Sequence, residues 1–183
     1  MRFAGLAALA AALVLAACSA TPAASGALPG PVPTGVTFRE PPDSAETAPA
    51  FELALVDGRV LDLTEQWAER PVVLVFFESW CTLCRDQQPE INEVVAEYSD
   101  IILFVGIAGM SEPADVEQYV SDNRITYPVG IDSNGRRWLQ YAVSEPPLVA
   151  LISKDGRLLR GWPGGISGTE LREQIEQLAV DNG

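Results

Sequence analysis

The 183-residue sequence has no histidine, only three cysteines, and 12 lysines and arginines against 25 aspartates and glutamates. Without histidine there is no His-based catalytic triad, no His-ligated metal site and no haem held by its usual proximal ligand. Chemistry carried by the chain's own side chains therefore rests on cysteine, carboxylate or hydroxyl. Three cysteines are too few for a disulfide-stapled scaffold. A formal charge of −13 repels phosphate backbones, so nucleic acid is not an expected partner. What is present is length for one domain with a tail, and 48% hydrophobic residues, ample for a conventional core.

Arg2 precedes an apolar run from Phe3 to Ala17, the charged-then-apolar layout of a secretory signal, too short to cross a bilayer comfortably as a permanent helix. The run ends Leu15-Ala16-Ala17-Cys18, which resembles the bacterial lipobox: two small residues admit a signal peptidase, and the cysteine takes a diacylglyceryl group before becoming the mature N-terminus. An ordinary signal peptide cut nearby is the alternative. On the lipobox reading, residues 1–17 are removed and the mature chain carries 11 cations against 25 anions, a charge of −14. The domain is then held on the outer face of the bacterial cytoplasmic membrane by lipid on Cys18. Only Cys81 and Cys84 keep free thiols, and in an oxidising compartment such a close pair shuttles between dithiol and disulfide.

Residues 19–50 hold seven of the fourteen prolines and a single aromatic, Phe38. Such composition buries little apolar surface, so residues 18–48 are expected to form a disordered linker, with a reach of about 100 Å at ~3.1 Å per residue. The domain is placed at 49–183. Phe51 to Leu55 alternates, Asp57-Gly58 reads as a hairpin turn and Val60 to Leu63 returns. Thr64 is expected to cap a short helix through Trp67. Val72 to Phe77 and Ile101 to Ile107 read as strands buried on both faces. A helix is expected from near Cys81 to about Tyr98, another capped by Ser111, one over Gly135 to Tyr141 and a last amphipathic one opened by Thr169 with Leu171, Ile175 and Leu178, and strands at 128–131, 148–152 and 158–162. The order β-β-α-β-α-β-α-β-α-β-β-α implies an α/β three-layer sandwich with a mixed sheet.

Trp80-Cys81-Thr82-Leu83-Cys84 falls where a buried strand turns into a helix. Free N–H groups and the macrodipole at a helix N-terminus favour an anion, so Cys81 is expected to have a thiol pKa below the ordinary value of about 8.5 and to be the attacking thiolate. Cys84, one turn along, is placed to attack a mixed disulfide and release the substrate. Two other readings stay open. Half a zinc site needs two more ligands, and there is neither histidine nor a second cysteine pair. A structural disulfide across four residues closes a tiny loop and constrains the unfolded chain little.

The segment from Val72 to Pro89, with this C-x-x-C, resembles the active-site segment of the thioredoxin superfamily, in its exported TlpA, ResA and DsbE-like branch. Pro89 falls where family members kink the active-site helix. Pro147, before Leu148 to Gly156, looks like the family's cis-proline facing the disulfide. The stretch between the second and third central strands, including Phe104 to Gly109 and Gly135 to Trp138, is similar to the exported DsbE and DsbF oxidoreductases. The resemblance covers about residues 49–180 and implies a thioredoxin-like sandwich with an N-terminal hairpin. It also implies disulfide exchange with exported thiol or disulfide proteins, a membrane electron donor or acceptor, no cofactor and no metal, in a monomer. Reduction of substrates, as in the TlpA and ResA branch, is the leading direction; oxidation, as in DsbE and DsbF relatives, is the alternative.

Several residues depart from the branch. Leu83 replaces its usual proline, restoring a backbone N–H and adding an apolar side chain. Pro146 has no N–H to offer an extended substrate, and Pro146-Pro147 also reads as a simple rigid turn. The buried acid of cytosolic thioredoxins falls at Val75 and the acid at ResA's substrate site falls at Gln87, so both are missing. Glu78 reads either as a general base relaying the proton of Cys84 or as a solvated strand-end charge. Trp80 reads as a flat apolar surface for substrate, or as core. A Sco-like copper chaperone lacks its histidine here. A thiol peroxidase needs a hydroxyl three residues before its cysteine, where Glu78 stands.

Overall fold

The structure is a computed structural model and describes residues 26–181. In chain order its elements are β1 (Thr37–Phe38), β2 (Glu52–Ala54), β3 (Val60–Asp62), α1 (Leu63–Trp67), β4 (Val72–Phe77), α2 (Thr82–Tyr98), β5 (Leu103–Ala108), α3 (Pro113–Asp122), β6 (Val129–Ile131), α4 (Arg136–Gln140), β7 (Leu148–Ile152), β8 (Leu158–Pro163), α5 (Gly168–Leu178) and β9 (Val180–Asp181). Five strands form the central sheet in the order β6-β5-β4-β7-β8. β4, β5 and β6 run parallel, while β7 and β8 are antiparallel to their neighbours. This is the mixed sheet expected from the alternating strands and helices, in the thioredoxin-like arrangement that the family resemblance implies.

Every residue of β4 and β5 is buried, which is why both read as unbroken apolar runs. Val73, Val75, Phe77 and Phe104 face one layer and pack with Ile91, Val94, Tyr119 and Ile175 of α2, α3 and α5. Val72, Leu74, Phe76 and Val105 face the other, against Leu53 and Leu61 of the β2–β3 hairpin, Leu63 and Tyr141. α2, α3 and α5 thus share one face, and the parallel pairing of β4 with β5 brings their C-terminal ends together at one end of the sheet.

Three expected caps are corrected. The N-cap of α1 is Asp62, whose carboxylate accepts the Thr64 N–H at 2.8 Å and the Thr64 hydroxyl at 2.6 Å, Thr64 itself lying inside the helix. α5 is capped by Ser167 and not opened by Thr169, the Ser167 hydroxyl accepting from Glu170 N at 3.2 Å. α3 starts at Pro113 after Glu112, with no side-chain cap, and Ser111 is engaged elsewhere.

The expected linker is also corrected where it is described. Residues 26–48 lie on the domain: Gly26 N–H donates to the Tyr127 carbonyl at 3.3 Å, β1 pairs with β9, and Ala48 N–H donates to the Gly156 carbonyl at 2.9 Å. The buried Arg70 guanidinium donates to the carbonyls of Gly30 and Asp100, and burial lowers its pKa. A proline-rich segment cannot build its own core, but that does not stop it from borrowing donors and edges from a surface already folded. The signal peptide at 1–17, Cys18 and the rest of the linker to residue 25 lie outside the described residues.

Candidate active site

β4 ends at Phe77, and the chain turns through Glu78, Ser79 and Trp80 before α2 begins. The turn is closed by the Cys81 N–H donating to the Glu78 carbonyl at 3.0 Å. Cys81 is the N-cap of α2, with extended backbone, and its sulfur accepts the Cys84 N–H at 3.0 Å. A sulfur thus stands where a serine or aspartate oxygen ordinarily takes an unsatisfied helix N–H. Cys81 and Cys84 are joined by a disulfide, S–S 2.04 Å and Cα–Cα 5.3 Å, and both are buried. The donor on the Cys81 sulfur is the Cys84 amide; no hydrogen bond from the Leu83 amide to it is found.

Around the buried disulfide stand exposed apolar side chains. Trp80 is 69% exposed, Leu83 48% and Met110, in the loop after β5, 78%. Trp80 is therefore a surface ring and not core. Large apolar groups left in water beside a reactive pair form a face that another chain can cover.

Pro146-Pro147 is a cis peptide bond. In the β4–β7 register Phe76 pairs with Leu148, so Pro147 is level with Phe77, at the sheet end from which the C-x-x-C departs. The Pro147 carbonyl accepts the Gly164 N–H at 2.8 Å, and the Gly164 carbonyl accepts from the Gln87 side chain at 3.2 Å. Gly165, at φ +84°, lets the turn approach this closely: a Cβ there would stand 1.9 Å from Gln87 Oε1. Gln87, noted in the sequence only for the acid it lacks, ties the second turn of α2 to the loop behind Pro147.

Glu78 is not a solvated strand-end charge. It is 6% exposed, and its carboxylate accepts the Met110 N–H at 3.0 Å and the Ser111 hydroxyl. The Ser111 oxygen in turn accepts the Ser79 N–H at 3.0 Å. Glu78, Ser79 and Ser111 thereby clamp the strand leading to Cys81 onto the loop that carries Met110. Ser111 and Met110 escaped sequence reasoning because the serine sits where a helix cap is expected and the methionine has no motif. Among the described residues no group of three or more histidine, cysteine, aspartate or glutamate side chains is placed to hold a metal ion. No described helix is long and apolar enough to cross a membrane.

Comparison with known proteins places this geometry in context. The family profile described as the AhpC/TSA family matches residues 45–161. The thiol-disulfide oxidoreductase ResA of Bacillus thuringiensis is 26% identical over 142 residues, which are 77% of this chain and 79% of that protein. The DsbF protein of Mycobacterium tuberculosis, solved in mixed oxidized and reduced forms, is 25% identical with a TM-score of 0.65, over 70% of this chain and 97% of that one. The pneumococcal exposed lipoprotein thioredoxin Etrx1 of Streptococcus pneumoniae is 25% identical with a TM-score of 0.64, over 71% of this chain and all of that one, 100%.

Proposed function

The chain belongs to the AhpC/TSA family, and from that premise we propose that it is an extracytoplasmic thiol-disulfide oxidoreductase working through Cys81 and Cys84. The observation that carries this reading is the Cys81–Cys84 disulfide at the N-terminus of α2, with the Cys84 N–H held on the Cys81 sulfur. In the reduced protein the Cys81 thiolate attacks a substrate disulfide. A bond forms from Cys81 to one substrate sulfur, and the other leaves as a thiolate that takes a proton. Cys84, as thiolate, then attacks the Cys81 sulfur, closes the intramolecular disulfide and expels the second substrate thiolate. Two electrons pass to the substrate, and the pair is reduced again by a membrane electron donor. The reverse sequence oxidises a dithiol substrate. Trp80 and Leu83 supply an apolar seat for the partner, and Pro146 and Pro147 border it from the β7 side, with no N–H donor on either proline and the Pro147 carbonyl already accepting from Gly164.

Reduction is the direction implied by the resemblance to the TlpA and ResA branch. The amide on the Cys81 sulfur favours the opposite, because whatever stabilises the thiolate stabilises the reduced pair and makes the disulfide a stronger oxidant. The reduction potential separates them: a value near about −270 mV marks a reductant and one near about −120 mV an oxidant. A pair that does not equilibrate with glutathione at all contradicts both.

The lipobox reading of Cys18 is supported by the lipoprotein named among the structural relatives. Seven residues, 19–25, separate Cys18 from Gly26, and the eight steps between them span at most about 29 Å. Gly26 and Gly30 dock beside Tyr127 and Arg70, which precede β6 and β4, at the end of the sheet opposite Cys81. A lipid on Cys18 thus presents the disulfide away from the bilayer, toward exported proteins. Cys18→Ala is expected to abolish incorporation of radiolabelled fatty acid; unchanged labelling would contradict the anchor.

A further inference from the structure

Five large apolar side chains are exposed among the described residues: Val60, Trp80, Leu83, Met110 and Leu139. Three of them stand around the disulfide. Trp80 and Leu83 come with the C-x-x-C itself, whereas Met110 arrives from the loop after β5 and is fixed there by its backbone. Phe77 at the end of β4 pairs with Ala108 of β5, and the Gly109 N–H donates to the Phe77 carbonyl at 3.1 Å. The next N–H, that of Met110, donates at 3.0 Å to the carboxylate of Glu78, three residues before Cys81. A Cβ on residue 109 would stand 2.0 Å from Glu78 Oε1 and 2.9 Å from Trp138 Cζ2, so only glycine lets the loop come this close. Taking a carboxylate out of water is costly. Here a buried carboxylate holds the backbone of a residue whose apolar side chain is left in solvent, beside two others of the same kind.

A second observation comes from the opposite edge of the site. β5 and β7 flank β4 on its two sides, and the cis-proline loop leads into β7. An extended chain that pairs with a backbone edge needs N–H donors as well as carbonyl acceptors. Neither Pro146 nor Pro147 has an N–H, and the Pro147 carbonyl is taken by the Gly164 N–H at 2.8 Å. The two prolines therefore leave one acceptor, the Pro146 carbonyl, and no donor. Strand pairing at this loop is weak, so a bound segment must be held by its side chains. The side chains available to hold it are apolar.

We infer that Met110 is a specificity-determining residue, which with Trp80 and Leu83 takes an apolar side chain of an extended polypeptide whose cysteine reacts at Cys81. Alternate side chains of an extended chain share a face, so the groups two residues from that cysteine, about 7 Å along, point at the enzyme as the cysteine does. The preferred substrate is thus an unfolded exported chain with Leu, Ile, Val, Phe or Met two positions from its cysteine. An unbranched thioether adapts to any of these shapes, which suits many sequences better than one. This inference rests on the exchange function and adds a side-chain preference to it.

The test uses the intact reduced protein and symmetric disulfides of a peptide carrying either Leu or Asn two residues from its cysteine, two side chains of similar size. Exchange is followed by stopped-flow tryptophan fluorescence. The Leu peptide is expected to react about fivefold faster than the Asn peptide, the order of gain from partly covering one leucine. The ratio should persist in 0.5 M salt, because it does not come from charge. In Met110→Ser the ratio is expected to fall toward one, while Val60→Ser, which removes an exposed apolar group from β3, should leave it at the parent value. Equal rates for the two peptides with the parent protein, or an undiminished ratio in Met110→Ser, would overturn the role of Met110 and leave the exchange function standing. No exchange with either peptide or with glutathione disulfide would overturn the function itself.

Discussion

Glu78 shows how one residue's surroundings decide its role. Its carboxylate has two donors, Met110 N–H and the Ser111 hydroxyl, and it is sealed from water. Those two bonds tie the strand end before Cys81 to the loop that carries Met110. Glu78→Gln keeps an acceptor for Met110, so the pH dependence of exchange should be unchanged; loss of one limb of that profile would establish the proton relay instead. Glu78→Ala strands both donors and should cost about 1–3 kcal/mol in a urea unfolding measurement. The sequence placed this carboxylate near the thiols but said nothing of its partners, because they come from a loop 32 and 33 residues further on. The four tyrosines make a second residue-scale prediction. Burial raises all four, Tyr98 and Tyr119 to about 12 and Tyr127 and Tyr141 further. A tyrosine whose folded pKa exceeds its unfolded value near 10 gives stability that is whole below pH 10 and lost as pH rises toward the folded pKa. Absorbance at 295 nm should therefore stay flat through pH 10 and rise only with alkaline unfolding; tyrosinate appearing in the folded protein near pH 10 would contradict the burial.

At the scale of elements, local signals were readable where they depend on neighbours in sequence. β4 and β5 announced themselves as six-residue apolar runs, and the strand-to-helix placement of Cys81 followed from them. What the sequence concealed was long-range pairing. The Pro-rich stretch at 26–48 reads as disordered by composition, yet it holds Arg70 through Gly30 and adds β1 to β9, at a separation of 144 residues. Ser111 reads as a cap and serves instead as the hub between Ser79 and Glu78. A chain starting at Pro49 should fold but lose about 2–3 kcal/mol in urea, mostly from the stranded Arg70 and the edge of β9. Undiminished stability would mean that the arm is not held on the domain.

For the whole molecule, the fold puts three devices at one end of the sheet: the helix N-terminus that holds the Cys81 sulfur, the cis-proline loop beside β7, and the apolar rim of Trp80, Leu83 and Met110. The docked arm enters at the other end, so the reactive face is left clear. Cys81 and Cys84 are the only cysteines among the described residues, and the sequence has no histidine. The most direct measurement is intact-protein mass spectrometry of reduced Cys84→Ser after exposure to a disulfide-linked peptide. One peptide should remain attached through Cys81, while the parent protein treated in the same way should carry no peptide and return to its intramolecular disulfide. No adduct on Cys81, or an adduct that persists equally on the parent, would contradict nucleophilic exchange at Cys81 with resolution by Cys84.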